Sequence, residues 1–89
     1  MKAVYYIGDR VWCSTCRRVK PILETVCAKY NIAPRMYDIN DDDADDVVSK
    51  YGVRSVPTII VINGQMIDRI VGACTQREIE DAIKDVKLI

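Results

Sequence analysis

Apolar residues gather into seven segments along the chain, and the spacing within each segment names the element it predicts. "AVYYI" at 3–7 is an unbroken apolar run with β-branched and aromatic members, closed by Gly8, which is the pattern of a buried strand. From Cys16 onward, Cys16, Val19, Leu23, Val26, Cys27 and Tyr30 recur at three- and four-residue steps. These positions share one helical face, while Arg17, Lys20, Glu24 and Lys29 point elsewhere. The helix is expected to stop near Asn31, with Pro34 beyond it.

"RMYDI" at 35–39 alternates as a second strand. In "NDDDADDVVSKYG" the early aspartates suit the positive end of a helix, and Ala44, Val47, Val48 and Tyr51 form an apolar stripe closed by Gly52. A calcium loop would need its own ligand spacing and a terminal glutamate, so this acidic run reads as a solvated helix start. "TIIVI" at 58–62 is apolar on both faces and predicts a central strand. "NG" at 63 and 64 signals a hairpin, and "MIDRIV" returns as its antiparallel partner, with Asp68 and Arg69 marking an exposed edge. Thr75 and Glu78 stand at capping-box spacing ahead of Ile79, Ala82, Ile83 and Val86, which share one face of a final helix.

The order strand, helix, strand, helix, strand, strand, helix predicts an α/β fold with a four-stranded mixed sheet and helices on both faces. Its first two strands are parallel through a right-handed crossover. At 89 residues and 49% hydrophobic content the chain forms one domain over 1–89, with no repeat or linker.

Charge narrows the functional classes. Lysine plus arginine and aspartate plus glutamate both count 13, so no global field points to nucleic acid or to a membrane. "MKAVYYIGDR" is too brief an apolar run for a secretory core or a spanning helix, and a cytoplasmic location is expected. Four cysteines in a secreted chain would suggest a disulfide scaffold. In a reducing compartment, C-x-x-C points to redox or metal chemistry.

The pair is Cys13 and Cys16, in "VWCSTCRRVKPIL". Cys13 falls at the first turn of a helix, where unpaired N–H groups and the helix dipole favour a thiolate, and Arg10 and Arg17 add positive charge nearby. Cysteines so placed have pKa values lowered from about 8.5 to roughly 7 or below. Cys16 lies over the next turn, within reach of a disulfide, and on the buried stripe. Cys13 is thus the expected nucleophile and Cys16 the resolving partner.

Two other roles compete for the pair. Structural zinc wants four nitrogen or sulfur ligands, and the chain has one C-x-x-C and no histidine. Cys27 returns to the same face three turns on, about 16 Å away, too far to share a metal with the pair. Core packing is the simpler role for Cys27, and Cys74, just ahead of a helix cap, reads as a packing or surface residue.

"WCSTCRRVKPIL" resembles the thioredoxin signature: tryptophan before the first cysteine, a basic residue after the second, and a proline inside the following helix. Pro21 is otherwise a poor choice within a helix, and in that family the active-site helix is bent there. "YGVRSVPTIIVINGQMIDRIVGA" at 51–73 is similar to the family's cis-proline segment, hairpin and glycine loop. The resemblance implies a minimal βαβαββα thioredoxin-like fold without the family's extra amino-terminal strand and helix. It also implies a redox-active Cys13–Cys16 disulfide, a cis-Pro57 facing the cysteines, and a docking surface from Trp12, Val56, Pro57, Gly72 and Ala73. Val56 would pair with an extended substrate segment in strand fashion.

Three departures bear on the chemistry. Ser14 and Thr15 replace the usual glycine and proline between the cysteines. Their hydroxyls would favour the thiolate form and raise the potential, with ~30 mV equivalent to about 1.4 kcal/mol. Secondly, the family's buried aspartate falls on Ile7 in an ungapped match, leaving water, Asp9 or Glu24 as proton acceptors for Cys16, none of them assigned. Lastly, "VGACT" at 71–75 is also similar to the glycine loop of glutaredoxins, whereas Trp12 and Pro21 favour thioredoxin.

The resulting expectation is a disulfide oxidoreductase that reduces protein disulfides, holds no cofactor, and acts as a monomer. Electrons would come from NADPH through a thioredoxin reductase, or from glutathione. The alternatives are a glutaredoxin-like reductase, a dedicated donor to an enzyme such as ribonucleotide reductase, and a non-catalytic adapter of the same fold.

Overall fold

Successive residues of the first strand, β1 (Lys2–Gly8), point to opposite sides of the sheet, and each side meets a different set of helices. The computed structural model describes residues 1–89. Val4 and Tyr6 enter one apolar cluster with Val19, Leu23 and Val26 of α1 (Ser14–Lys29) and Ile79 and Ile83 of α3 (Gln76–Asp85). Tyr5 and Ile7 enter another with Val47 of α2 (Asp45–Tyr51) and the following Val53. Helices α1 and α3 therefore cover one face and α2 the other.

The sheet order is β2-β1-β3-β4, where β2 is Arg35–Asp38, β3 is Thr58–Asn63 and β4 is Met66–Val71. β1 runs parallel to β2 and antiparallel to β3, and β3 is antiparallel to β4. The expected α/β architecture with its central "TIIVI" strand is what the chain adopts. Ile59 and Val61 face α1 and α3, Ile60 and Ile62 face α2, and all four are buried. Burying each such side chain contributes about 1.5–3 kcal/mol.

Two details differ from the expected pattern. The hairpin turn is Gly64–Gln65 instead of Asn63–Gly64, because Asn63 remains in the ladder opposite Met66. Asn63 instead donates from Nδ2 to the carbonyls of Val86 and Lys87 at 2.8 and 3.1 Å, closing the end of α3. The acidic run starts as a short 3-10 turn, Asp42–Ala44, before α2, and none of its side chains caps either helix by hydrogen bond. Its aspartates act there as charge alone.

The remaining caps follow the sequence. Gly52 ends α2 in the left-handed region at φ 62°. Thr75 and Glu78 form a reciprocal capping box at the start of α3. Asn31, at φ 57°, reverses the chain after α1. Pro21 lies inside α1, where it has no N–H to offer the Arg17 carbonyl.

Candidate active site

The loop after β1 delivers Cys13 to the start of α1 as its N-cap residue, with extended backbone (φ −109°, ψ 100°). The backbone N–H of Cys16 donates to Cys13 Sγ at 3.0 Å. A sulfur takes the place that a serine or aspartate oxygen usually holds at a helix start, and it receives the same stabilisation of negative charge. The two cysteines are joined as a disulfide with Cα atoms 5.2 Å apart. Cys13 is half-buried, whereas Cys16 is only 4% exposed. The first sulfur meets solvent and the second is shielded, as the helical stripe predicts.

Trp12, immediately before the pair, is 85% exposed, so its ring is not part of the core. Ser14 is exposed and Thr15 half-buried in the first turn of α1, where Thr15 Oγ1 accepts from Arg18 at 3.5 Å. The Val56–Pro57 peptide is cis, as the family resemblance implies. Val56 packs against the same cluster that holds Cys16, as do Cys13 and Cys74. Val56 lies outside β3, and its N–H and C=O have no backbone partner within the chain. Gly72, at φ 86°, donates from its N–H to the Pro57 carbonyl at 2.9 Å and so folds the end of the hairpin onto the cis-proline. Ala73 follows, exposed.

The residues beneath Cys16 were not evident from the sequence. Ile7, the position expected from an ungapped match, faces α2 and takes no part in the site. Tyr6 is the β1 residue on the side of Cys16, and its hydroxyl donates to the Cys16 carbonyl at 3.4 Å. Burial raises its pKa above the ordinary tyrosine value, reinforced by the charges of Asp38 and Glu24. A Cβ on Gly8 would run into the Tyr6 ring and hydroxyl, so glycine leaves that hydroxyl its place. Neither Asp9 nor Glu24 bonds to Cys16; Asp9 Oδ1 accepts from the N–H groups of Val11 and Trp12 at 2.9 and 3.2 Å.

Tyr6, Cys16, Arg17, Lys20, Met36 and Asp38 line a cleft of about 440 Å³ beside α1. Arg10 does not lend its charge freely to Cys13, because its Nε is 2.8 Å from Asp38 and its Nη2 3.4 Å from Asp41. Asp38 is itself buried, and its pKa is held below the usual carboxylate range, first by the backbone N–H of Asn40 and then by that of Arg10. The remaining thiols stand apart from this chemistry. Burial pushes Cys27 up to about 11, and burial together with Glu78 raises Cys74. No three or more His, Cys, Asp or Glu side chains are grouped so as to hold a metal ion.

A half-exposed cysteine capping a helix, a buried partner one turn on and a cis-proline immediately ahead of β3 define a thiol–disulfide oxidoreductase of thioredoxin fold. The family model for thioredoxin matches residues 6–85. Thioredoxin from Porphyra purpurea is 30% identical over 73 residues, covering 81% of this chain and 68% of the relative. Thioredoxin 1 from Synechococcus elongatus is 36% identical over 63 residues, covering 70% of this chain and 59% of the relative.

Among solved structures, Fasciola hepatica thioredoxin superposes with a TM-score of 0.80 at 23% identity, over 97% of this chain and 81% of that one. Oxidised thioredoxin O2 from Arabidopsis thaliana gives 0.78 at 23% identity, over 97% and 75%. These structural matches speak to the fold. The chain belongs to the thioredoxin family, and it spans roughly three fifths to two thirds of the length of those two curated relatives.

Proposed function

We propose that this protein reduces disulfides in other proteins by dithiol exchange, with Cys13 as nucleophile and Cys16 as resolving thiol. The observation that carries the proposal is the unequal setting of the two sulfurs on one helix: Cys13 half-exposed under the Cys16 N–H, and Cys16 buried. Cys13 thiolate attacks one sulfur of the substrate disulfide, forming a mixed disulfide and releasing one substrate thiolate. Cys16, once deprotonated, attacks Cys13 Sγ and releases the second. Each departing thiolate takes up a proton, and the pair ends as the disulfide seen here.

Trp12 supplies apolar contact beside the scissile bond. The unpaired backbone groups of Val56 accept an extended substrate segment, with Pro57, Gly72 and Ala73 completing the surface. Ser14 and Thr15 tune the potential of the pair. No bound cofactor enters these steps. The oxidised pair is recharged by NADPH through a thioredoxin reductase, and the protein works as a cytoplasmic monomer.

Insulin reduction tests this reading in two recycling systems, NADPH with thioredoxin reductase and glutathione with its reductase. Turnover in the first supports the proposal; turnover confined to the second replaces it with a glutaredoxin-like activity. A Cys16→Ser variant is expected to retain substrate as a stable mixed disulfide on Cys13. Absence of any covalent capture would point to an adapter.

A further inference from the structure

Asp38 is the one buried charged side chain in the molecule, 7% exposed at the end of β2. A buried carboxylate requires its lone pairs to be satisfied. Oδ2 accepts from the Arg10 backbone N–H at 3.0 Å and lies 2.8 Å from Arg10 Nε. Oδ1 accepts from the backbone N–H and the Nδ2 of Asn40, both at 2.8 Å. All of these donors belong to residues that touch the loop carrying the active site. Arg10 lies within that loop, and Asn40 Nδ2 also donates to Asp9 Oδ1 at 3.2 Å. The same Asp9 oxygen accepts the N–H groups of Val11 and Trp12. Arg10 is therefore tied to Asp38 directly, Asp9 through Asn40, and Val11 and Trp12 through Asp9 and Asn40 in turn.

The two neighbours at the end of this loop are held by different means. Cys13 is fixed by α1, through the Cys16 N–H. Trp12, 85% exposed, has almost no packing to fix its ring, so its placement depends on its backbone. We propose that Asp38, acting through Arg10 and through the Asn40–Asp9 hydrogen bond, is a positioning residue that determines how well Trp12 docks a protein substrate, while thiol exchange at Cys13 proceeds independently. This rests on the protein-disulfide reductase reading above. It also separates substrates: a protein disulfide needs the docked tryptophan, and a small one does not.

Single-turnover rates of the pre-reduced protein are measured against increasing concentrations of insulin and, separately, of cystamine. In Asp38→Ala the insulin concentration giving half the maximal rate is expected to rise about tenfold, while the maximal rate and the cystamine rate stay within about twofold, the split that marks lost docking. Asn40→Ala removes one arm of the brace without leaving a charge unpaired in the interior, and it is expected to show the same split to a smaller degree. It decides the matter should Asp38→Ala fail to fold. Unchanged insulin dependence in a folded variant, or insulin and cystamine rates falling together, overturns the proposal. If the wild-type protein itself reduces cystamine but not insulin, the reductase reading falls first and this inference with it.

Discussion

The amide of Cys16 points at the sulfur of Cys13 across 3.0 Å, so the group that starts the exchange is held by the backbone of the residue that completes it. Their closeness at the start of one helix makes these two thiols unlike the other two in the chain. In the reduced protein at neutral pH, iodoacetamide is expected to modify Cys13 first. Cys27, 1% exposed and pushed up to about 11, should react on the order of 100-fold more slowly or not at all. Time-resolved peptide mass analysis reads this order directly, and equal labelling of Cys13 and Cys27 would contradict the site described here.

Asp38 predicts a loss of stability in acid. Its folded pKa lies below its unfolded value, near 3.9. The associated stabilisation is fully present above that unfolded value and disappears as pH falls through the lower, folded one. Urea midpoints of the wild type should therefore decline over this acidic range more steeply than those of Asp38→Asn, in which the group does not titrate. Parallel curves for the two proteins would show that Asp38 contributes nothing to this linkage.

At α3 the test is the cap. Thr75 Oγ1 accepts from the Glu78 N–H at 3.2 Å, and the Thr75 N–H donates to Glu78 Oε1 at 3.1 Å. Thr75→Ala removes the first bond and should cost about 1 kcal/mol, lowering Tm by roughly 4–8 °C. The measurement is thermal unfolding followed by circular dichroism, and an unchanged Tm would mean that the box is idle.

Gly8→Ala probes the contact beneath the site. The added methyl would meet the hydroxyl end of the Tyr6 ring, which is buried. A loss of about 1–3 kcal/mol is expected from this overpacking. Placed in a Tyr6→Leu background, the same change should cost markedly less, because the two positions are in contact. Additive losses in the double variant would show that Tyr6 is not what the methyl meets.

Much of the fold follows from local rules that the chain states openly. The stripe from Cys16 to Cys27 became the buried face of α1, and the two-faced "TIIVI" run became the central strand β3. These signals are legible because periodicity records which side of an element is buried. The hairpin register was less so: "NG" marks a reversal, but Asn63 stays in the ladder and is used to close α3.

By itself, the sequence determined the element order, the Gly52 and Thr75–Glu78 caps and the asymmetric cysteine pair, since each depends on residues within a turn or two of one another. What only the tertiary structure decided is which distant side chains meet beneath that pair. Asp38 is 28 residues from Arg10, and nothing in "RMYDI" sets its aspartate apart from the exposed acids that follow. The parallel crossover lays β2 beside β1 with Asp38 opposite Gly8, and this places its carboxylate under the active-site loop. A period of two tells which face a strand residue occupies, but its neighbours on that face are set by register, and register is fixed only when the sheet assembles.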